Sequence, residues 1–520
     1  MPLALGHPAR QTGGMRGHRA EQAPGPAASS RRMGWIVAAT VLAMAGLRVA
    51  TGLYPLWYDE YASLIFADQP LSRLWSRWMV AETNPPLFYT MAKGWQAMGL
   101  RSVAGLRLLP ELGGLAELVL LAAAARIGWG WRAALAAVLL AGFSPHHVYA
   151  GQLLRGYIFA ADGVLLAFIG LLLALREPGR ARGCWIYAAG SALALQFHTT
   201  MLLWPPIAMA ALALSNRPAL SAARFLLLRR LAMANLAVLA SGAWWLWITL
   251  LQLNGGSQNV DWIAPLTLAG YADLLARSLL LVNEAYVIER GLSLLVGAAL
   301  AIAVVQTFVN PAARLAACVL AIGAALFWGL SLVHPIATPM TLFWLSGFVV
   351  LIIAGWAGNL VPPLRACLLT AVLAGLLGFN LMAHGSRLTV QDFGAAVRAA
   401  AATPGSALLV EHASFGLVMA KACERELGAR PCPIPILTLG APGGSFADAL
   451  PHGPTLRPRD VPAALACCRQ VFDVRTWEYD PLLHFGLARA ADRRDWNDPF
   501  LEGPIPASRF DPARYSHPRR

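Results

Sequence analysis

Of 520 residues, 57% are hydrophobic and only 13% charged, with a mean hydropathy of +0.55. Soluble globular chains carry about 25% charged and about 45–50% apolar residues, so this composition excludes an ordinary water-soluble enzyme and a disordered chain alike. The 41 Lys and Arg against 27 Asp and Glu give a net charge of +14, an excess that membrane proteins gather on one side of the bilayer and that needs no nucleic acid to explain it. The charge is also uneven along the chain, with 25 basic and 13 acidic residues before residue 385 but 16 basic and 14 acidic after it. A polytopic membrane body followed by a soluble segment is expected.

Residues 1–33, rich in Arg, Gly, Pro and Ala, read as a disordered, basic, cytoplasmic N-terminus. An apolar run over 34–53, interrupted by Arg48, reads as an uncleaved first span, with signal cleavage as the alternative. A spanning helix needs about 20 mostly apolar residues. Further runs at 106–125, 132–145, 157–175, 184–199, 201–215, 231–252, 289–309, 314–333, 340–358 and 366–384 bring the number of predicted spans to eleven. The stretch 85–99 is apolar but short and carries Lys93, which suits an interfacial helix. Parity supports that choice. With 85–99 outside the count, the Arg-rich connections (Arg31 and Arg32, Arg126 and Arg132, Arg176 to Arg182, Arg224 to Arg230, Arg314, Arg365) share one side with only Glu21 and Glu177 among the acids. That side is then the cytoplasm, and the segment from 385 lies outside.

The first outside loop opens YPLWYDEYASLIF, with Asp59 and Glu60 adjacent just beyond the first span. Its bland reading is an aromatic belt with two solvated acids. The functional one is a carboxylate pair at the membrane edge, placed to deprotonate a hydroxyl beside a lipid-borne substrate. Further along, Trp75, Trp78 and Trp95 with Arg73, Arg77 and Lys93 suit headgroup depth. Glu82 and Asn84, in the joint AETNPP, suit a metal, a sugar hydroxyl or, for Asn84 above all, a helix cap.

The second outside loop reads SPHHVYAGQLLRGY. Arg155 is expected to enter the next span with Asp162 two turns along the same face, where charges are costly and functional or else neutralise one another. Arg107, at the outside end of the second span, is a further cation, and guanidinium groups bind phosphate oxygens through paired hydrogen bonds. His146 and His147 lack a matching ligand set for metal. Asp261, in the polar start of the loop 253–286, and His198 and His334, near outside ends of spans, are candidate contacts for sugar or phosphate; each alone is more often a satisfied polar residue.

Residues 385–520 are expected to form a small α/β domain, with strands in ALLVEH, PIPILTL and QVFDVRT and a helix in MAKACERELG. They carry no Gly-rich phosphate loop, serine elbow or metal pattern, and an accessory role in acceptor binding or assembly is expected. Cys184, Cys318 and Cys367 fall in spans. Cys423 and Cys432 are the candidate disulfide in the oxidising outer compartment.

The order of WYDE, NPPLFY, LRLLPELGGL and FSPHHVYAGQLLRGY over residues 34–215 resembles the polyprenyl-phosphate-sugar-dependent glycosyltransferases of the GT-C fold. It is most similar to the bacterial mannosyltransferase and galacturonosyltransferase-like branch related to protein O-mannosyltransferases and the aminoarabinose transferase. The resemblance implies that Asp59 is the catalytic base with Glu60 its acidic companion. It also implies that Gln152, Arg155 and Tyr157 match the family's Gln-x-x-Arg-x-Tyr-like stretch. Where many members have an Arg-Tyr pair, this chain has Thr338, Pro339 and Met340, which leaves Arg107 and Arg155 as the preferred phosphate cations.

The expected activity is inverting transfer of a sugar from a polyprenyl phosphate to a hydroxyl of a lipid, polysaccharide or protein acceptor, on the outer face of a bacterial inner membrane. No cofactor is required, although Asp59 and Glu82 could share a divalent metal. The rivals are a transporter or flippase of lipid-linked glycans, which would use intramembrane charges such as Asp162, and a non-enzymatic assembly scaffold. No internal repeat of the kind common in transporters is found.

Overall fold

The computed structural model describes residues 26–52, 54–215, 222–255, 263, 266–279, 297–387, 392–410, 412–439, 450, 455–457, 460–464, 468–474 and 501–506. The candidate contact Asp261 lies outside the described residues. The membrane body comprises α1 (Pro26–Thr51), α2 (Tyr58–Ala67), α3 (Leu71–Leu74), α4 (Leu87–Ala97), α5 (Val103–Trp129), α6 (Trp131–Phe143), α7 (Pro145–Gln152), α8 (Tyr157–Arg176), α9 (Arg182–Phe197), α10 (Trp204–Ser215), α11 (Ala222–Gly255), α12 (Leu268–Leu279), α13 (297–304), α14 (Pro311–Ser331), α15 (Pro339–Asn359) and α16 (Pro362–Arg387).

Among the described residues, six helices (α1, α5, α8, α11, α14 and α15) are long and apolar enough to cross a membrane, and the bent pair α6–α7 makes up to seven. This is a multi-pass membrane architecture. The runs expected at 184–199, 201–215, 289–309 and 366–384 are occupied by α9, α10, α13 and α16, which are shorter, less apolar or only partly described. The 69° bend between α6 and α7 follows from FSPHH. Ser144 is held extended ahead of Pro145, its hydroxyl accepts from the His147 backbone N–H, and Pro145 opens the new helix. What reads as loop from 145 to 152 is therefore a helix.

At the centre stands α15, with every residue from Leu342 to Gly355 buried, as a helix apolar on all sides requires. A polar tie crosses this interior. Arg48 of α1 donates to Glu117 of α5 at 3.3 Å and to the carbonyls of Gly114 and Ala141. Glu117 meets His147 Nδ1 of α7 at 2.6 Å, and His147 Nε2 meets Ser346 of α15 at 3.0 Å. Five helices (α1, α5, α6, α7 and α15) thus share one fully buried network, and His147 is absorbed by it.

Helices α8 and α9 pack backbone to backbone. Gly163 and Gly170 of α8 lie against the backbones of Ala194 and Tyr187, while Gly183 and Gly190 of α9 lie against those of Ala174 and Ala167. In lipid, where hydrophobic burial drives little helix association, such small-residue seams supply the packing. Gly170→Ala is expected to lower stability by about 1–3 kcal/mol through overpacking, read as a lower unfolding temperature in detergent.

The C-terminal segment forms α17 (Phe393–Ala401), α18 (Ala413–Leu427), α19 (Val461–Ala464) and a five-stranded sheet. Its strands are β1 (Ser406–Val410), β2 (Ile436–Leu439), β3 (Thr455–Leu456), β4 (Gln470–Val474) and β5 (Leu501–Pro506), ordered β3-β2-β1-β4-β5. The first four are parallel, and β5 pairs antiparallel with β4. Strand β1, buried along its length, reads as the unbroken apolar run SALLV that a covered parallel strand requires. Gly428, at φ 64°, ends α18 in the left-handed region, and a Cys423–Cys432 disulfide closes the reversal toward β2.

Candidate active site

Helix α2 begins just beyond α1 and starts with two acids, which suits the positive end of its dipole. At its other end the Lys93 ammonium donates to the carbonyls of Ala67 and Asp68, so this lysine caps a helix rather than reaching for a headgroup. With 3.6 residues per turn, α2 presents three stripes. Glu60 faces the membrane body. Asp59, Ser63 and Phe66 face a cleft against α4. Tyr58, Tyr61 and Asp68 face the C-terminal segment.

Glu60 is fully buried and engaged on both oxygens. Arg107 Nη1 donates to Oε1 at 2.5 Å and Nη2 to Oε2 at 2.9 Å, while the backbone N–H groups of Leu154 and Trp57 supply two further bonds. Arg107 also donates to the carbonyls of Gln152, Tyr54 and Pro55 and lies over the Tyr54 ring at 3.7 Å. The two residues read as acidic companion and phosphate cation are therefore spent on each other and on the backbone. They fasten the start of α2 to the strap 153–156 that carries Arg155. Gln152 adds to this clamp, donating to the Arg48 carbonyl at 2.7 Å and to Thr51 at 3.0 Å.

Asp59 stands apart from that pair, half-buried in the first turn of α2 and within electrostatic reach of Arg155, Tyr58 and Tyr157. Arg155 lies in the strap before α8, not on its face, so the expected alignment with Asp162 does not form. Its guanidinium donates instead to Ser63 Oγ at 3.3 Å and to the Tyr89 hydroxyl at 3.5 Å, with Tyr157 a further hydrogen-bond partner. Ser63 in turn donates to the backbone carbonyl of Asp59, so its hydroxyl ties Arg155 to the first turn of α2, while the Asp59 carboxylate meets Arg155 through its charge alone.

Glu82 completes the cleft. It is buried, hydrogen-bonded to Tyr89, and Asn84 donates to it from both backbone and side chain at 3.2 Å. Asn84 therefore orients Glu82 and does not cap α4, whose cap residue is Pro86. The loop is pinned from α11, where Gln252 donates to the carbonyls of Val80 and Glu82, and by Thr199, which bonds the Thr83 carbonyl and accepts from Trp245. His198 stacks on Tyr157 at 5.1 Å and meets Thr200 through Nδ1. Burial raises the Tyr58 and Tyr89 phenols above the ordinary range, the bond with Ser414 pulling Tyr58 partly back. Both stay neutral donors.

The structure thus brings together Asp59, Glu82, Asn84, Arg155, Tyr157 and His198. It leaves out Asp162, which lies in the bundle interior within reach of Glu117 and Arg48, and His334, exposed at the end of α14. Thr338 accepts from the Thr341 backbone N–H and so caps α15 at the position where an Arg-Tyr pair is missing. Sequence reasoning missed Ser63 and Tyr89. Tyr89 closes the quoted NPPLFY, but only folding shows it beside Arg155. Among the described residues no three His, Cys, Asp or Glu side chains converge to hold a metal.

No protein-family model and no curated protein matches the chain. Among solved structures it is similar to ArnT from Cupriavidus metallidurans in the apo state, at 15% identity and a TM-score of 0.53, covering 81% of this chain and 88% of that one. It is similar also to the same protein bound to undecaprenyl phosphate, at 13% identity and a TM-score of 0.55, covering 88% and 95%. Identity this low speaks to architecture alone, and that architecture is the GT-C fold.

Proposed function

We propose that the protein is a glycosyltransferase that moves a sugar from a polyprenyl phosphate to a hydroxyl of a cell-envelope acceptor, with inversion at the anomeric carbon. The observation that carries this reading is the Asp59 carboxylate within electrostatic reach of Arg155 in one cleft, in a chain with the fold of a protein solved with undecaprenyl phosphate. Asp59 accepts the proton of the acceptor hydroxyl as its oxygen bonds to the anomeric carbon. The bond from that carbon to the phosphate oxygen breaks, and Arg155, with the Tyr89 and Tyr157 hydroxyls, stabilises the charge on the leaving phosphate. Glu82, oriented by Asn84, holds a sugar hydroxyl. Glu60, Arg107 and Gln152 act by fixing the geometry. Nothing in this scheme requires a metal.

The same reading places residues 1–33 in the cytoplasm, eleven crossings over 34–384, and 385–520 outside the inner membrane. It rests on the Arg-rich parity of the loops and on the oxidising compartment that a Cys423–Cys432 disulfide suits.

The experiment incubates membranes holding the protein with radiolabelled undecaprenyl-phosphate sugars and follows label into an acceptor. Arg155→Ala is expected to weaken donor use about ten- to hundredfold, the worth of a charged hydrogen bond to phosphate; unchanged donor dependence would remove its role. The transporter reading draws on Asp162, whose buried Oδ1 has no partner among the described residues. It requires the labelled donor to change leaflet with its sugar still attached.

A further inference from the structure

The third stripe of α2 is covered by the C-terminal segment along its whole length. The Tyr58 ring packs on Phe415 at 4.5 Å between centroids, and its hydroxyl is hydrogen-bonded to Ser414. Tyr61 meets Phe393 edge-on at 5.8 Å, and Phe393 stacks with Phe415. At the far end Lys421, nearly buried, reaches Asp68 at 2.6 Å, and Arg425 donates to the Arg101 carbonyl. Ser414 is itself held, its hydroxyl 3.0 Å from His412 Nδ1 and its side chain buried at the start of α18.

Asp59 therefore sits between two unlike surfaces. On one side the membrane body supplies a cation and phenols for a lipid-borne phosphate. On the other the C-terminal segment packs Phe393, Phe415 and the Ser414 hydroxyl against Tyr61 and Tyr58, so that the phenol it holds next to Asp59 is that of the half-buried Tyr58. We propose that the C-terminal segment is the acceptor wall of the site, with Ser414 and Phe415 as positioning residues that hold Tyr58 beside Asp59 for a hydroxyl-rich, sugar-bearing acceptor. This rests on the glycosyl transfer proposed above. Ser414 is too buried to touch the acceptor and acts through Tyr58. The bond keeps the phenol ring turned so that its hydroxyl flanks the incoming nucleophile.

The test uses the full chain in membranes, the labelled undecaprenyl-phosphate sugar that proves active, and an envelope extract from a strain lacking the protein as acceptor. Ser414→Ala is expected to raise the half-saturating amount of extract about three- to tenfold, the worth of one neutral hydrogen bond, with the half-saturating donor unchanged. Tyr58→Phe should do the same. The double variant should be no worse than the poorer single, because both remove one bond. An unchanged extract requirement, additive losses, or a rise in donor requirement instead would overturn the wall. A wild-type protein that transfers no sugar sinks the parent reading and this one with it, whereas active wild type with indifferent variants sinks the wall alone.

Discussion

Asp59→Asn is expected to cut sugar transfer by about 10²- to 10⁴-fold, the usual contribution of a positioned general base, with expression, insertion and unfolding temperature unchanged. Asparagine keeps the shape and polarity of the side chain at the start of α2, and the neighbouring Glu60 clamp does not depend on residue 59. What is lost is the basic carboxylate that takes the acceptor proton in the proposed mechanism. Label transfer from the undecaprenyl-phosphate sugar, measured beside circular dichroism and thermal unfolding, separates the two effects. Transfer within a few-fold of wild type would show that the proton goes elsewhere.

Glu60→Ala, one residue on, is expected to fail in a different way. Removing one partner of a buried ion pair costs about 3–5 kcal/mol because the other charge stays behind unpaired. Here the loss leaves Arg107 buried without its counter-charge, held only by backbone carbonyls and the Tyr54 ring, and strips the Leu154 N–H of its acceptor. The unfolding temperature in detergent should fall steeply and activity with it. A Glu60→Ala protein that unfolds like wild type yet turns over slowly would return Glu60 to the reacting acids. Two adjacent carboxylates in one sequence motif thus predict opposite signatures, one kinetic and one thermodynamic.

That division marks what a linear reading could reach. Asp59 and Arg155 could be singled out from the sequence because each stands in a local context that has a meaning by itself, an acid at a membrane edge and a cation before a span, and the structure brings the two into one cleft. The fate of Glu60 was not legible, since its partner lies 47 residues away and the decisive contacts are backbone groups of a strap without secondary structure. Arg155 and Asp162 looked aligned only because the helix was taken to begin before Tyr157. The turn at 153–156 breaks that register.

Strand runs such as SALLV and ILTL declared themselves by composition. The two-residue β3 is too short to do so, and β5 includes Gly503 and two prolines that read as loop. The charge counts change near 385, where α16 runs on to Arg387. The docking of Lys421 on Asp68, across 353 residues, was visible nowhere. Length separates the helices differently from apolarity: α9, with 16 residues, is apolar but shorter than the six long helices among the described residues.

The seam between α8 and α9 makes the pair a stiff lever with one end at the candidate cleft. Tyr157 opens one helix and His198 closes the other, and the two rings stack. Gly170 lies about 20 Å from Tyr157 at 1.5 Å per residue. A methyl group added there would wedge the helices apart and transmit the displacement to that stack, so damage to turnover can originate far from any reacting atom. Selection should therefore guard these four glycines as jealously as the carboxylate they never touch.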